Sequence, residues 1–150
     1  MKAIIQRCKC ASVTADGEFS GKCGRGFLIL LGVLKGDETT DADLLAEKIS
    51  KLRIFDDAEG KLNLSVKDIG GEALVVSNFT LAADYRKGNR PDYFNAEAPA
   101  RANELYEYFT AALRERGIHT ETGKFGAEMF IDMTADGPVT IDMDSAVLKK

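Results

Sequence analysis

The chain has no tryptophan, one histidine, three cysteines and three prolines among its 150 residues. Each scarcity excludes something. With a single histidine, His119, spacing alone supports neither a Ser-His-Asp nor a Cys-His arrangement. Three cysteines cannot all pair within one chain, and on a single strand Cys8 and Cys10 would project to the same face, so free thiols are expected. A metal centre on Cys8, Cys10 and Cys23 would lack a fourth ligand nearby, and none is expected. Positive charge is also short, with 20 Lys and Arg against 24 Asp and Glu, a net charge of -4. That balance argues against bulk electrostatic binding of nucleic acid, DNA included, and leaves room only for a local RNA-binding patch. Long apolar runs are missing too. The opening Met1 to Arg7 becomes charged before a signal-peptide core could form, and nothing approaches the ~20 residues needed to span a bilayer. A soluble, cytoplasmic protein without a membrane partner is the expectation.

What is present suits one packed domain spanning residues 1–150, since 45% of the residues are apolar. Short apolar pieces at Lys2 to Arg7, Ala11 to Ala15 and Gly26 to Val33, punctuated by glycines, predict strands joined by tight turns. Thr40 stands as a helix N-cap ahead of Leu44, Leu45, Ile49 and Leu52 at helical spacing. Arg53-Ile54-Phe55 predicts a short strand entering an exposed polar loop. Ala73 to Val76 is apolar on both faces, as in a strand buried within a sheet, and runs directly into Ser77-Asn78-Phe79-Thr80. Pro99 opens a second helix carrying Leu105, Tyr106, Phe109, Ala112 and Leu113, and Gly117 closes it. Ile131, Met133, Val139, Ile141 and Met143 alternate with polar residues around Ala135-Asp136-Gly137-Pro138, which predicts a hairpin with one buried face. The fold class expected is α+β: mixed, mostly antiparallel β-sheets in a barrel-like arrangement, with two main helices packed on one side.

Two features stand out as candidate chemistry. A buried strand that ends in Ser77, Asn78 and Thr80 must satisfy several polar groups, either internally or with a ligand. Period-two geometry places Asn78 and Thr80 on one face, with Ser77 and Phe79 on the other. The second feature is the Gly137-Pro138 pair, whose simplest reading is a turn. Asp56-Asp57 and the acidic residues of the last segment lack the apolar setting that would raise a carboxyl pKa, so they read as solvated surface. The loop Asp84-Tyr85-Arg86-Lys87-Gly88-Asn89-Arg90 is polar and basic. It is either an ordinary solvated loop or a local patch for RNA phosphates, with Arg86, Lys87 and Arg90 as contacts and Tyr85 or Tyr93 stacking on an unpaired base.

Over nearly its whole length the chain resembles the D-aminoacyl-tRNA deacylase family. The resemblance is carried by Ala3-Ile4-Ile5-Gln6-Arg7, Leu52-Arg53-Ile54-Phe55, Lys61 to Val66, Ser77 to Leu81, Arg86-Lys87-Gly88, Phe125-Gly126-Ala127-Glu128-Met129 and Asp136 to Thr140, in that order. It implies hydrolysis of the ester joining a D-amino acid to tRNA, with glycyl-tRNA mischarged on tRNA-Ala as a further substrate. It implies a homodimer whose active site spans the interface and receives the aminoacyl-tRNA 3′ end. The Ser77–Thr80 strand end of one subunit would face the Gly137-Pro138 tip of the other, whose cis bond aims two backbone carbonyls at the site and rejects L-residues. Arg7 would hold that incoming tip. Phe125, Gly126, Ala127 and Met129 would line the amino-group side, and main-chain N–H groups near Phe79 and Thr80 would stabilise the oxyanion. Thr80 is the family's candidate nucleophile, but it has no visible base, so assistance by the 2′-OH of the terminal adenosine is the favoured route. No metal or organic cofactor is implied.

Two positions depart from the family pattern: Asn78 stands where Gln is usual, and Ala135 where Asn is usual. Two other functions compete with the main one. One is the related editing of L-Ala-tRNA by a trans Gly-Pro tip, which Ser77 disfavours. The other is a noncatalytic tRNA-binding dimer.

Overall fold

A computed structural model describes all residues, Met1–Lys150. The elements run β1 (Lys2–Ala15), β2 (Glu18–Cys23), β3 (Gly26–Gly32), α1 (Thr39–Lys51), β4 (Phe55–Asp56), β5 (Leu62–Leu64), β6 (Glu72–Ser77), a 3-10 turn (Phe79–Ala82), α2 (Pro99–Glu115), β7 (His119–Thr122), β8 (Met129–Asp144) and α3 (Ser145–Leu148). The main sheet has the order β2-β1-β3-β6-β7, with β8 paired along the other side of β1, and β4-β5 forms a small separate ribbon. Pairings of β1 with β2, β3 and β8 are antiparallel. Those of β6 with β3 and β7 are parallel. The sheet curls until β2 nears β7, where the Ser20 hydroxyl donates to the Thr122 carbonyl at 3.0 Å. A Cβ on Gly21 would stand 2.5 Å from the same carbonyl oxygen, so only glycine lets this seam approach. The result is the nearly closed, mixed, barrel-like α+β domain that the pattern predicts.

The central strands are apolar on both faces because both faces are buried. Phe27, Ile29 and Leu31 of β3, with Ala73 and Val75 of β6, face the helices and join Leu45, Ile49, Leu105, Phe109 and Leu113 in the main core. Leu28, Leu74 and Val76 turn the other way into a smaller cluster with Cys8, Ala11, Val13 and Cys23. Each large core side chain contributes roughly 1.5–3 kcal/mol by leaving water, so the helix-covered face dominates stability.

Four expectations are corrected. The first two strand pieces are one strand, β1, with a register irregularity between Cys8 and Cys10. That irregularity breaks the alternation, so Cys8 is buried and Cys10 exposed rather than sharing a face. Glu38, not Thr40, is the N-cap of α1, because its backbone N–H is received by the Asp41 carboxylate at 2.8 Å. Asp41 is itself buried, and that burial opposes ionisation. Hydrogen bonds from Lys149 and Ser145 outweigh the burial and hold its carboxyl down at about 2. Finally, the C-terminal alternation is not a hairpin. β1 is long enough to pair with the whole of β8, so residues 129–144 form one strand interrupted by a bulge: Gln6 pairs with Thr140 and Cys8 with Ala135. No helix is long and apolar enough to cross a membrane.

Candidate active site

The largest cavity, about 600 Å³, opens where β6 ends. Its walls bring together two sequence-distant groups that the resemblance marked, Ser77-Asn78-Phe79 and Phe125-Gly126-Ala127 with Met129. β6 is parallel to β3, so its polar end emerges beside Leu31, and the Asn78 N–H donates to the Leu31 carbonyl at 2.8 Å. The chain then winds into the 3-10 turn that Asn78 caps.

Hydrogen bonding sorts these groups by availability. The Asn78 Oδ1 accepts from the Thr80 N–H at 3.2 Å and, very closely, from the Thr80 hydroxyl. Two donors on one oxygen settle which side of the amide is which, and Asn78 Nδ2 is left without an intrachain acceptor. The Ser77 hydroxyl also has no intrachain partner, and the Phe79 N–H, at the entrance of the turn, has none either. Three donors thus collect at one rim of a largely apolar cavity. Such a set can hold a carbonyl oxygen that gains negative charge. Thr80 does not line the cavity, and its N–H, expected to serve the oxyanion, is already taken. Its hydroxyl proton faces an amide oxygen, which is no general base.

Phe125 packs against Tyr106, with ring centroids 5.9 Å apart, and the Tyr106 hydroxyl donates to the Val75 carbonyl at 3.0 Å. Burial pushes the Tyr106 phenol up to about 12, so it remains a neutral donor. Gly126 sits at a φ of +77°, the left-handed conformation this turn requires. Asp16 clamps the segment, accepting from the Glu128 N–H at 3.1 Å. Tyr93 meets Phe79 edge-on at 5.1 Å. Tyr93, Glu97, Ala102 and Tyr106 also line the cavity, and no motif singled them out for it. Their only sequence signal is proximity to Pro99, the start of α2.

The other half of the expected site lies elsewhere. Gly137 and Pro138, joined by a cis peptide, are exposed in the β8 bulge and do not line this chain's cavity. Arg7 is buried beneath them. Its Nε donates to the Asp136 carbonyl at 3.1 Å and lies 3.3 Å from the Asp136 carboxylate, while Nη1 donates to the Ile54 carbonyl at 2.8 Å. Within one chain, Arg7 lies under the chain's own tip. Arg7 holds the tip of its own chain, because β1 and β8 are neighbours and the bulge rises opposite it.

The basic loop is closed by reciprocal bonds of 2.9 Å between Asp84 and Asp92. Arg86 forks onto Asp84, with Nε 2.9 Å from Oδ1, and this pairing holds the Asp84 carboxyl down at about 2. Its charge is largely offset, whereas Lys87 and Arg90 are exposed without an ion-pair partner.

A family model described as D-Tyr-tRNA(Tyr) deacylase matches residues 4–144. The chain belongs to that family. The deacylase is 55% identical over 144 residues to the D-aminoacyl-tRNA deacylase of Ruegeria pomeroyi, covering 96% of this chain and 99% of the relative. It is 53% identical over 146 residues to that of Thermus aquaticus, covering 97% and 96%. A solved structure titled c-Myc DNA Unwinding Element Binding Protein superimposes with a TM-score of 0.89 at 40% identity, over 96% of this chain and 98% of that one. Another, titled a probable eukaryotic D-amino acid tRNA deacylase, gives a TM-score of 0.82 at 16% identity, over 95% and 98%, a likeness of fold alone.

Proposed function

We propose that the cavity at the end of β6 binds the aminoacyl ester of D-aminoacyl-tRNA and that the Gly137-Pro138 tip of a second copy completes it. Family membership makes the chain an ester hydrolase, a D-aminoacyl-tRNA deacylase. One observation carries the finer reading: the chain has a receptive cavity and a protruding tip that does not reach it. The two halves can meet only between copies. The outer edge of β8 supports the same conclusion, since it pairs with no strand of its own chain and carries exposed Phe130 and Ile131. An uncovered edge of that length is a ready surface for a second copy.

In this homodimer the ester carbonyl sits among Ser77, Asn78 Nδ2 and the Phe79 N–H. Attack by water places negative charge on the carbonyl oxygen, and preorganised donors stabilise it there. Thr80 has no base to activate it, so the 2′-OH of the terminal adenosine assists the water, and the amino acid leaves as the free acid with the tRNA 3′-OH restored. Backbone atoms of the partner's tip stand where an L side chain would go, and a D side chain points away from them. Glycine meets no clash, so glycyl-tRNA mischarged on tRNA-Ala is also cleaved. Lys87 and Arg90, with Arg86 held by Asp84, contact acceptor-stem phosphates as a local patch on an acidic protein. The enzyme acts in the cytoplasm, where aminoacyl-tRNA is made and used.

The test is ester loss from D-Tyr-tRNA, L-Tyr-tRNA and L-Ala-tRNA incubated with the purified protein. Release from D-Tyr-tRNA alone is expected. Equal release from L-Tyr-tRNA would sink the chirality argument, and preferential release from L-Ala-tRNA would replace the reading with L-alanine editing.

A further inference from the structure

A second cavity, of about 500 Å³, adjoins the first, and the chemistry above makes no use of it. Three segments pass from one to the other. Val33 and Ala96 line the ester-binding cavity, whereas their chain neighbours Leu34 and Asn95 line the second. Leu34 and Ala96 form a bridge, the Lys35 N–H donates to the Asn95 carbonyl at 2.9 Å, and the Glu97 N–H donates to the Val33 carbonyl at 3.0 Å. The partition between the cavities is therefore one narrow two-stranded ladder. The 3-10 turn makes the same passage, with Phe79 in the first wall and Ala82 in the second. A ligand too long for the first cavity meets the second on that side.

The second cavity differs from the first in charge. Lys2, Lys35 and Arg86 line it, and its one carboxylate, Asp84, is already forked by Arg86. Neither lysine has an ion-pair partner. Asp144, the register partner of Lys2, accepts instead from the Ala146 N–H at 2.9 Å, and Asp37, two residues after Lys35, is taken by the Met1 ammonium at 2.7 Å. Tyr85 lines the same cavity with 75% of its surface exposed, and the Asn95 side-chain amide there has no intrachain partner. On a chain of net charge -4, two unpaired ammonium groups beside an open aromatic ring are a local site for phosphate together with a base. Single-stranded nucleic acid offers both, since its phosphates repeat along the backbone and its unstacked bases lie against aromatic rings. Lys87 and Arg90 lie beyond, in the loop that the Asp84–Asp92 pair closes. The order outward from Ser77–Phe79 is thus ester, groove, loop.

We propose that this groove holds the unpaired nucleotides joining the ester-bearing adenosine to the acceptor stem, with Lys2 and Lys35 on their phosphates and Tyr85 stacked on a base; this rests on the ester lying at Ser77–Phe79. The experiment uses substrates of increasing length: D-tyrosyl-adenosine, the D-tyrosyl ester of the trinucleotide CCA, and D-Tyr-tRNA. With Lys2→Gln and Lys35→Gln combined, kcat/KM falls about tenfold on the trinucleotide and on tRNA, chiefly through KM, and D-tyrosyl-adenosine changes by less than about twofold. The slope of log kcat/KM against log salt for the trinucleotide shrinks by about 1.4, ~0.7 for each single-strand phosphate contact removed. Tyr85→Ala raises KM for the trinucleotide by at least about fivefold, Tyr85→Phe restores it, and Tm holds throughout. Loss confined to tRNA would move the lysines to the stem and overturn the groove assignment. Equal loss on D-tyrosyl-adenosine, or no loss on any substrate, would overturn it as well. Wild-type release from none of the substrates would overturn the ester-site reading itself, and this inference with it.

Discussion

The two halves of the proposed site are built on opposite principles. The Ser77–Phe79 rim is concave and under-satisfied: the Ser77 hydroxyl, Asn78 Nδ2 and the Phe79 N–H have no partner within the chain. The Gly137-Pro138 bulge is convex and over-determined, with a buried guanidinium tying its base to both Asp136 and Ile54. A surface that must bind keeps its donors free. A surface that must exclude has to be stiff, since a yielding wall would admit the wrong enantiomer. The first half therefore leaves its donors free and the second spends them on itself.

The sharpest way to break that contrast is to disturb the convex half. A Cβ on Gly137 would stand 2.6 Å from the Val139 nitrogen, at a φ of +127° that side chains rarely adopt. Strain of about 1–3 kcal/mol is expected at such a position. Gly137→Ala should lower the ratio of D-Tyr-tRNA to L-Tyr-tRNA hydrolysis by ten- to a hundredfold on the order of that strain. An unchanged ratio would show that the tip plays no part in selection.

Arg7→Ala should act next. It leaves the Asp136 and Ile54 carbonyls without their charged donor, which costs about 1.5–3 kcal/mol of stability. Chemical denaturation should record that loss, and chirality should weaken more than D-Tyr-tRNA turnover. A loss confined to stability would make Arg7 a core residue only.

The smallest effect is expected on the concave side. Thr80 lies outside the cavity and its hydroxyl is spent on Asn78, so Thr80→Ala should keep D-Tyr-tRNA turnover within about tenfold. Complete loss would restore Thr80 as the nucleophile and end the case for 2′-OH assistance.

Much of this contrast was visible in the residues. Ala73 to Val76 read as buried on both faces, and β6 is. Pro99 and Gly117 bracketed α2 to within two residues. The polar strand end and the Gly-Pro pair are legible in the residues alone. What failed did so where local pattern meets long-range pairing. Alternation from Ile131 to Met143 is the same for a hairpin and for one bulged strand, and only the length of β1 distinguishes them. Arg7's contact with Asp136 of its own chain was not legible either, since it depends on β1 and β8 being neighbours. Nothing marked Tyr93, Glu97 and Tyr106 as cavity residues, because a cavity wall is assembled from segments that share no motif.

The sequence by itself determined an α+β chain with two amphipathic helices, central apolar strands, a polar strand end and a Gly-Pro pair, since each follows from periodicity, capping and turn chemistry over a few residues. Tertiary structure alone decided that the polar end of β6 emerges beside Leu31, that Arg7 lies under the bulge of its own chain, and that the bulge and the cavity lie apart in one chain. Those are relations between strands, set by parallel pairing of β3 with β6 and antiparallel pairing of β1 with β8. No local pattern encodes which strands become neighbours; burial of both faces of the sheet does.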